Sequence, residues 1–98
     1  MNKKEKVIKM KKVRSAIDQI DDKILPLIVK RSKLVNDALE IKSRKNEIVD
    51  RKRINQILKK VGSESKRMKA DPKLIKSIWM DMIQNFIEHE RKEFKKRK

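Results

Sequence analysis

No cysteine occurs among the 98 residues. That excludes a disulfide framework and a thiolate metal site. One glycine and two prolines leave the chain little punctuation, and no stretch alternates apolar and polar residues as a strand does. The expected fold is therefore all-α. Histidine is just as scarce: His89 stands alone, and builds a zinc site only with several carboxylates beside it. Two phenylalanines and one tryptophan are too few for a platform on which bases stack. No apolar run approaches the roughly 20 residues of a membrane span. The first stretch, MNKKEKVIKMKK, lacks the apolar centre of a signal peptide. A soluble, cytoplasmic protein of one small domain is the expectation.

What the chain has in abundance is charge. Thirty Lys and Arg against fourteen Asp and Glu give a formal +16, so a polyanion partner has to be weighed. The excess gathers at the ends, in KKEKVIKMKK and RKEFKKRK. Residues 1–9 and 95–98 read as basic tails of a single domain spanning 1–98. With so few aromatics, solvation accounts for most of these lysines better than nucleic-acid recognition does. A basic helical nucleic-acid binder stands as the non-enzymatic alternative.

The apolar residues, 37% of the chain, fall at helical spacing. A first helix is predicted from about residue 10 to 43, with a stripe of Ile17, Ile20, Ile24, Leu27, Ile28, Leu34, Val35 and Ala38. Pro26 lies inside it, about 140° from the stripe centre and so on the solvent side, where a bend convex to water is tolerated. SRKNEIV (43–49) reads as a loop. A second helix carries Ile54, Ile57, Leu58 and Val61 and weakens or ends near GSES (62–65). Asp71 and Pro72 look like an N-cap followed by proline at the first helical position. The third helix carries Leu74, Ile75, Ile78, Trp79, Met82, Ile83, Phe86, Ile87 and Phe94. A first helix of thirty-odd residues is about 50 Å long, more than two shorter helices of the same chain cover well. A second copy of the chain solves this, and an intertwined helical homodimer is expected.

Charges interrupt the apolar faces. Arg31 and Lys42 point from the stripe of the first helix, roughly 16 Å of rise apart. Glu90 shares the face of Trp79, Ile83 and Phe86, within roughly 40° of each. An unpaired buried charge costs several kcal/mol, so these three need a reason. One reading is a buried ion pair, Glu90 with Arg31 or Lys42, or cationic heads snorkelling to water. The other is an anion pocket whose excess positive charge awaits a carboxylate ligand. Arg14 lies about 100° off the direction of Arg31, so it converges with Arg31 more readily across a dimer than within one straight helix. No nucleophile–base pair, glycine-rich phosphate loop or metal-ligand cluster stands out. An enzyme built from these residues would hold an anionic substrate and stabilise it electrostatically.

RSAIDQIDDKILPLIVKRSKLVNDALEIK, followed by a loop and DRKR, resembles the all-helical chorismate mutases. DPKLIKSIWMDMIQNFIEHERKEF is similar to the third helix of the related isochorismate pyruvate-lyases. The likeness covers about residues 11–94 and rests chiefly on the spacing Arg14, Arg31, Lys42. It implies an intertwined dimer of three-helix chains and the rearrangement of chorismate to prephenate in aromatic amino acid biosynthesis, without cofactor or covalent intermediate. It also implies that Arg14 of one chain, with Arg31 and Lys42 of the other, binds the carboxylates of a small dicarboxylate substrate. Lys42 and Glu90 would face the ether oxygen, and Asp50 and Arg53 match the family's Asp-Pro-x-Arg-Glu motif. That motif's final Glu is Ile54 here, and Phe86 replaces a small hydroxyl residue. Both departures, like the short 43–49 loop, point toward the lyase branch, whereas Glu90 and Asp50 are mutase-like. Mutase is the expectation and lyase the runner-up.

Overall fold

The computed structural model describes residues 1–97, which form three α-helices and no strand. α1 spans Lys3–Ile41, α2 Arg51–Arg67 and α3 Pro72–Lys96, and a short 3-10 turn, Lys45–Glu47, lies between the first two. The all-α expectation holds, and the first helix is the long one, at 39 residues.

α1 begins well before residue 10, where periodicity placed its start. Asn2 provides the reason. Its side-chain oxygen accepts the Glu5 N–H at 2.8 Å and its carbonyl accepts the Lys6 N–H at 3.0 Å, so it caps the helix. The lysine-rich residues that follow are good helix formers with no breaker among them. The helix runs through Pro26, which is exposed. What proline forfeits there is one backbone bond to residue 22.

The chain divides into two compact units, Met1–Leu34 and Val35 onward. The first is helical from Lys3, and its predicted stripe is open: exposures run from 40% at Ile28 to 66% at Leu27. No described residue of this unit is buried; only Arg31 and Ser32 are half-buried.

The second unit holds the core. α2 packs against α3, and Leu39, Ile48, Ile83 and Ile87 are each no more than 6% exposed. Partly buried side chains, among them Ile54, Leu58, Trp79 and Phe94, surround them. Burying each of the four contributes about 1.5–3 kcal/mol. Two expectations need correcting. The predicted stripe of α1 includes Ala38, but Ala38 is exposed and Leu39 is the most buried side chain of the core, because α1 turns the Leu39 side toward Ile83 and Ile87. The 43–49 stretch is not simply a polar loop, since Lys45–Glu47 form a 3-10 turn and Ile48 is one of the four core residues.

α2 does not stop at GSES. Ser63 and Ser65 turn their hydroxyls back onto the carbonyls of Lys59 and Val61, at 3.0 and 2.6 Å, so neither competes for the helical backbone. Gly62 is crossed closely by α3: a Cβ there would lie 3.0 Å from Cδ of Lys76. The helix ends at Arg67 with Met68 as its C-cap, and the chain turns at Lys69, φ 61°, where Lys69 N–H bonds to Lys66 O and Ala70 N–H to Ser65 O. This is a Schellman ending with lysine at the left-handed position that glycine usually takes. α3 starts as predicted. Asp71 accepts the Lys73 N–H at 3.0 Å and Pro72 opens the helix.

Candidate functional site

Lys42 is the first residue beyond α1, and its N–H still bonds back to Leu39 O at 3.1 Å. The side chain of Leu39 is locked in the core three residues earlier, which fixes the end of the helix and the starting direction of the Lys42 stem. Glu90 sits on α3 one turn after Ile87 and is 6% exposed. The two meet: Lys42 Nζ donates to Glu90 Oε2 at 2.8 Å, with side-chain exposures of 23% and 8%. Among the described residues Glu90 Oε1 takes no hydrogen bond. A carboxylate this buried would cost several kcal/mol unpaired, and a charge-assisted bond of this length offsets much of that cost. The inward charges at 42 and 90 are thus partners, as the ion-pair reading had it. The pair also borders the apolar cluster and retains a free acceptor oxygen and two spare ammonium donors.

The backbone around Lys42 is held on both sides. Its carbonyl accepts Arg97 Nη1 at 3.3 Å. Immediately after it, the Ser43 and Arg44 N–H groups donate to one oxygen of Glu47 at 2.7 and 3.0 Å. Those two donors hold the Glu47 carboxyl below the usual carboxylate range, the Arg44 bond contributing most. Further up α1, Asn36 Oδ1 lies 3.0 Å from His89 Nε2, a second polar tie to α3 next to Glu90. Sequence reading missed Glu47, Arg97, Asn36 and His89 as supports. Only Glu47 had a local signal, an acid three residues after a helix-turn start, and Arg44 in place of Ser or Thr hid it.

Asp50 and Arg53 stand at the start of α2. Asp50 is exposed, and its carboxylate caps the helix by accepting the Arg53 N–H at 3.0 Å. Arg53 is exposed. Ile54, one residue on, is half-buried against the core, and Phe86 on α3 is half-buried as well. Arg14 and Arg31 belong to the first unit. Arg14 is exposed on a helix surface it shares with Val7, Met10 and Asp18. Arg31 is half-buried, with its Nη1 shielded from solvent.

Among the described residues no helix is long and apolar enough to cross a membrane, and no group of three His, Asp or Glu side chains could hold a metal ion. A family model described as chorismate mutase type II matches residues 13–91. The comparison with individual curated proteins found no match.

Proposed function

This chain belongs to the chorismate mutase type II family and has that family's isomerase activity, and we propose that Lys42 and Glu90 are the groups that act on the ether oxygen of chorismate. The observation that carries this assignment is their 2.8 Å pairing at the edge of the apolar core, with Glu90 8% exposed at its side chain. In the rearrangement one C–O bond breaks as one C–C bond forms, and negative charge grows on the ether oxygen. An ammonium fixed beside that oxygen opposes the charge without having to reorganise at the moment of reaction. Glu90 adds a donor when it carries a proton. A proton on Oε1 would face the substrate while Oε2 stays on Lys42. Lys42 has two further hydrogens for the ether oxygen and a substrate carboxylate. Positioning the compact conformer supplies the remainder, because the reaction is unimolecular and takes no nucleophile.

In this proposal the family spacing assigns the two carboxylates to Arg31 and to Arg14 of the partner subunit, with Asp50 and Arg53 as further substrate contacts. The open stripe of α1 supports the dimer. Contiguous aliphatics 40 to 66% exposed are a face that a second copy of the same helix would cover. The deciding experiment mixes two inactive variants, Arg14→Ala and Lys42→Ala. If each site takes Arg14 from one chain and Lys42 from the other, random reassortment leaves about a quarter of the sites intact. Prephenate formation at that level supports the shared site. A mixture that stays as inactive as its components refutes it.

One observation favours a second reading. Ile54 packs against the core where the mutase motif has an acid for the ring hydroxyl. A site without that polar partner discriminates weakly between chorismate and isochorismate. Slower pyruvate release from isochorismate is therefore expected beside prephenate formation. Pyruvate release with chorismate left untouched would make the chain a lyase.

A further inference from the structure

α1 ends without a cation of its own. Its last turn has no basic residue and contains Glu40, although the final carbonyls of a helix carry partial negative charge and lack intrahelical donors. The missing donor arrives from the far end of the chain. Arg97, at the close of α3, places Nη1 3.3 Å from the Lys42 carbonyl. Its guanidinium carbon also stands 5.7 Å from the centroid of the Phe94 ring. Phe94 is itself packed against the core, so the ring is a fixed shelf for the guanidinium. Arg97 lies beyond residue 91, where the family match ends, and inside the stretch that composition alone assigns to solvation.

We infer that Arg97 is a positioning residue for Lys42: it caps α1 across the fold and so sets where the Lys42 ammonium stands relative to Glu90. Two contacts converge on the same residue, the backbone held by Arg97 and the side chain held by Glu90. Moving the carbonyl moves the origin of the Lys42 stem. A 3.3 Å bond is longer than the usual 2.9–3.0 Å and this one is exposed, so the effect is modest and falls on turnover rather than on folding. The inference rests on the catalytic reading of Lys42.

The test compares Arg97→Ala and Arg97→Lys in the full chain, with kcat and KM for chorismate measured separately. Arg97→Ala is expected to lower kcat about fivefold with KM nearly unchanged, since a misplaced transition-state group costs rate more than binding. Arg97→Lys, which keeps a cationic donor, should recover part of the loss. In a Lys42→Met background the removal of Arg97 should leave the residual rate unchanged, because its route of action is gone. Equal losses in both backgrounds, or a wild-type kcat in Arg97→Ala, would overturn the inference. Amide exchange at Lys42 keeps the two readings apart. Inactivity of the wild-type protein toward chorismate would sink the catalytic reading, while faster exchange at Lys42 in Arg97→Ala would still uphold the cap and unchanged exchange would remove it.

Discussion

The two units of this chain use the same aliphatic vocabulary to opposite effect. In Met1–Leu34, isoleucines and leucines at helical spacing stand 40 to 66% exposed. From Val35 onward four side chains of the same types, Leu39, Ile48, Ile83 and Ile87, close to 6% or less, while Ile41, Leu74 and Ile78 stay exposed. Periodicity therefore tells which face of a helix is to be buried, and leaves open which surface buries it. In the second unit α3 and the 48–49 segment do so within the chain. In the first the stripe stays exposed in the single chain, and Arg14 and Arg31 belong to that unit.

The largest effect that separates the units is expected at Lys42. Lys42→Ala should lower turnover by about 10²–10³-fold, the usual loss when one preorganised transition-state donor is removed. It should also cost stability, because Glu90 loses its partner. We expect about 1–3 kcal/mol, under the range for fully buried pairs since Lys42 keeps 23% of its side-chain exposure. Single-turnover kinetics and urea unfolding check the two arms. Near-normal turnover would remove Lys42 from the chemistry and leave it as half of a structural pair.

Next in size is a contrast between two truncations. Leu39→Ala should destabilise by about 2–4 kcal/mol through the cavity it opens beside Ile83 and Ile87. The penalty should be the same at every protein concentration. Ile24→Ala removes a side chain that is 43% exposed in the single chain. If a second copy covers that stripe, its cost appears as a lower melting midpoint that depends on protein concentration. A stable folded monomer at micromolar concentration, with Ile24→Ala neutral at every concentration, would break the comparison.

How much was legible follows the same division. The three helices, the Asp71–Pro72 start and the passage through Pro26 were readable because they depend on local spacing, capping and side-chain direction. The pairing of an inward acid with an inward cation was readable as one of two alternatives, since burial demands a partner but does not name it. That Lys42 hydrogen-bonds to Glu90 was not readable. Nor was Leu39, which loses to Ala38 on a wheel centred by the whole stripe and wins only once α3 fixes the direction of the final turn. The α2 extension through GSES goes with two serines bonding backward onto their own helix, which leaves no mark in one-dimensional spacing. Arg97 and Glu47 lay in segments that look like solvated charge, and only long-range or turn geometry gives each a task.

A smaller effect concerns Glu90. Glu90→Gln keeps an acceptor for Lys42 and carries a donor of its own, so it should retain more turnover than Glu90→Ala. Wild-type turnover in Glu90→Ala would remove Glu90 from the chemistry.

The least effect is expected at Glu47, and its sign can be worked out. Two backbone N–H groups hold the ionised form, so the folded protein keeps this carboxyl below its ordinary range while the unfolded chain does not. A depressed folded value means the contribution is complete above the unfolded value and is lost as pH falls through the folded one. The group is exposed, which keeps the global effect small. The consequence is local: Ser43 and Arg44 amides should be protected at neutral pH and lose that protection selectively in acid. Glu47→Gln should exchange at both positions at a rate that depends little on this titration, and the gap between it and the wild type should close as pH falls below the carboxylate range. The turn directly follows Lys42, so the second unit should loosen there before its core does, while Leu39 and Ile87 stay protected. Equal protection of the 43–44 amides in both proteins at neutral pH would show that the turn is held by the chain on either side of it and not by the carboxylate.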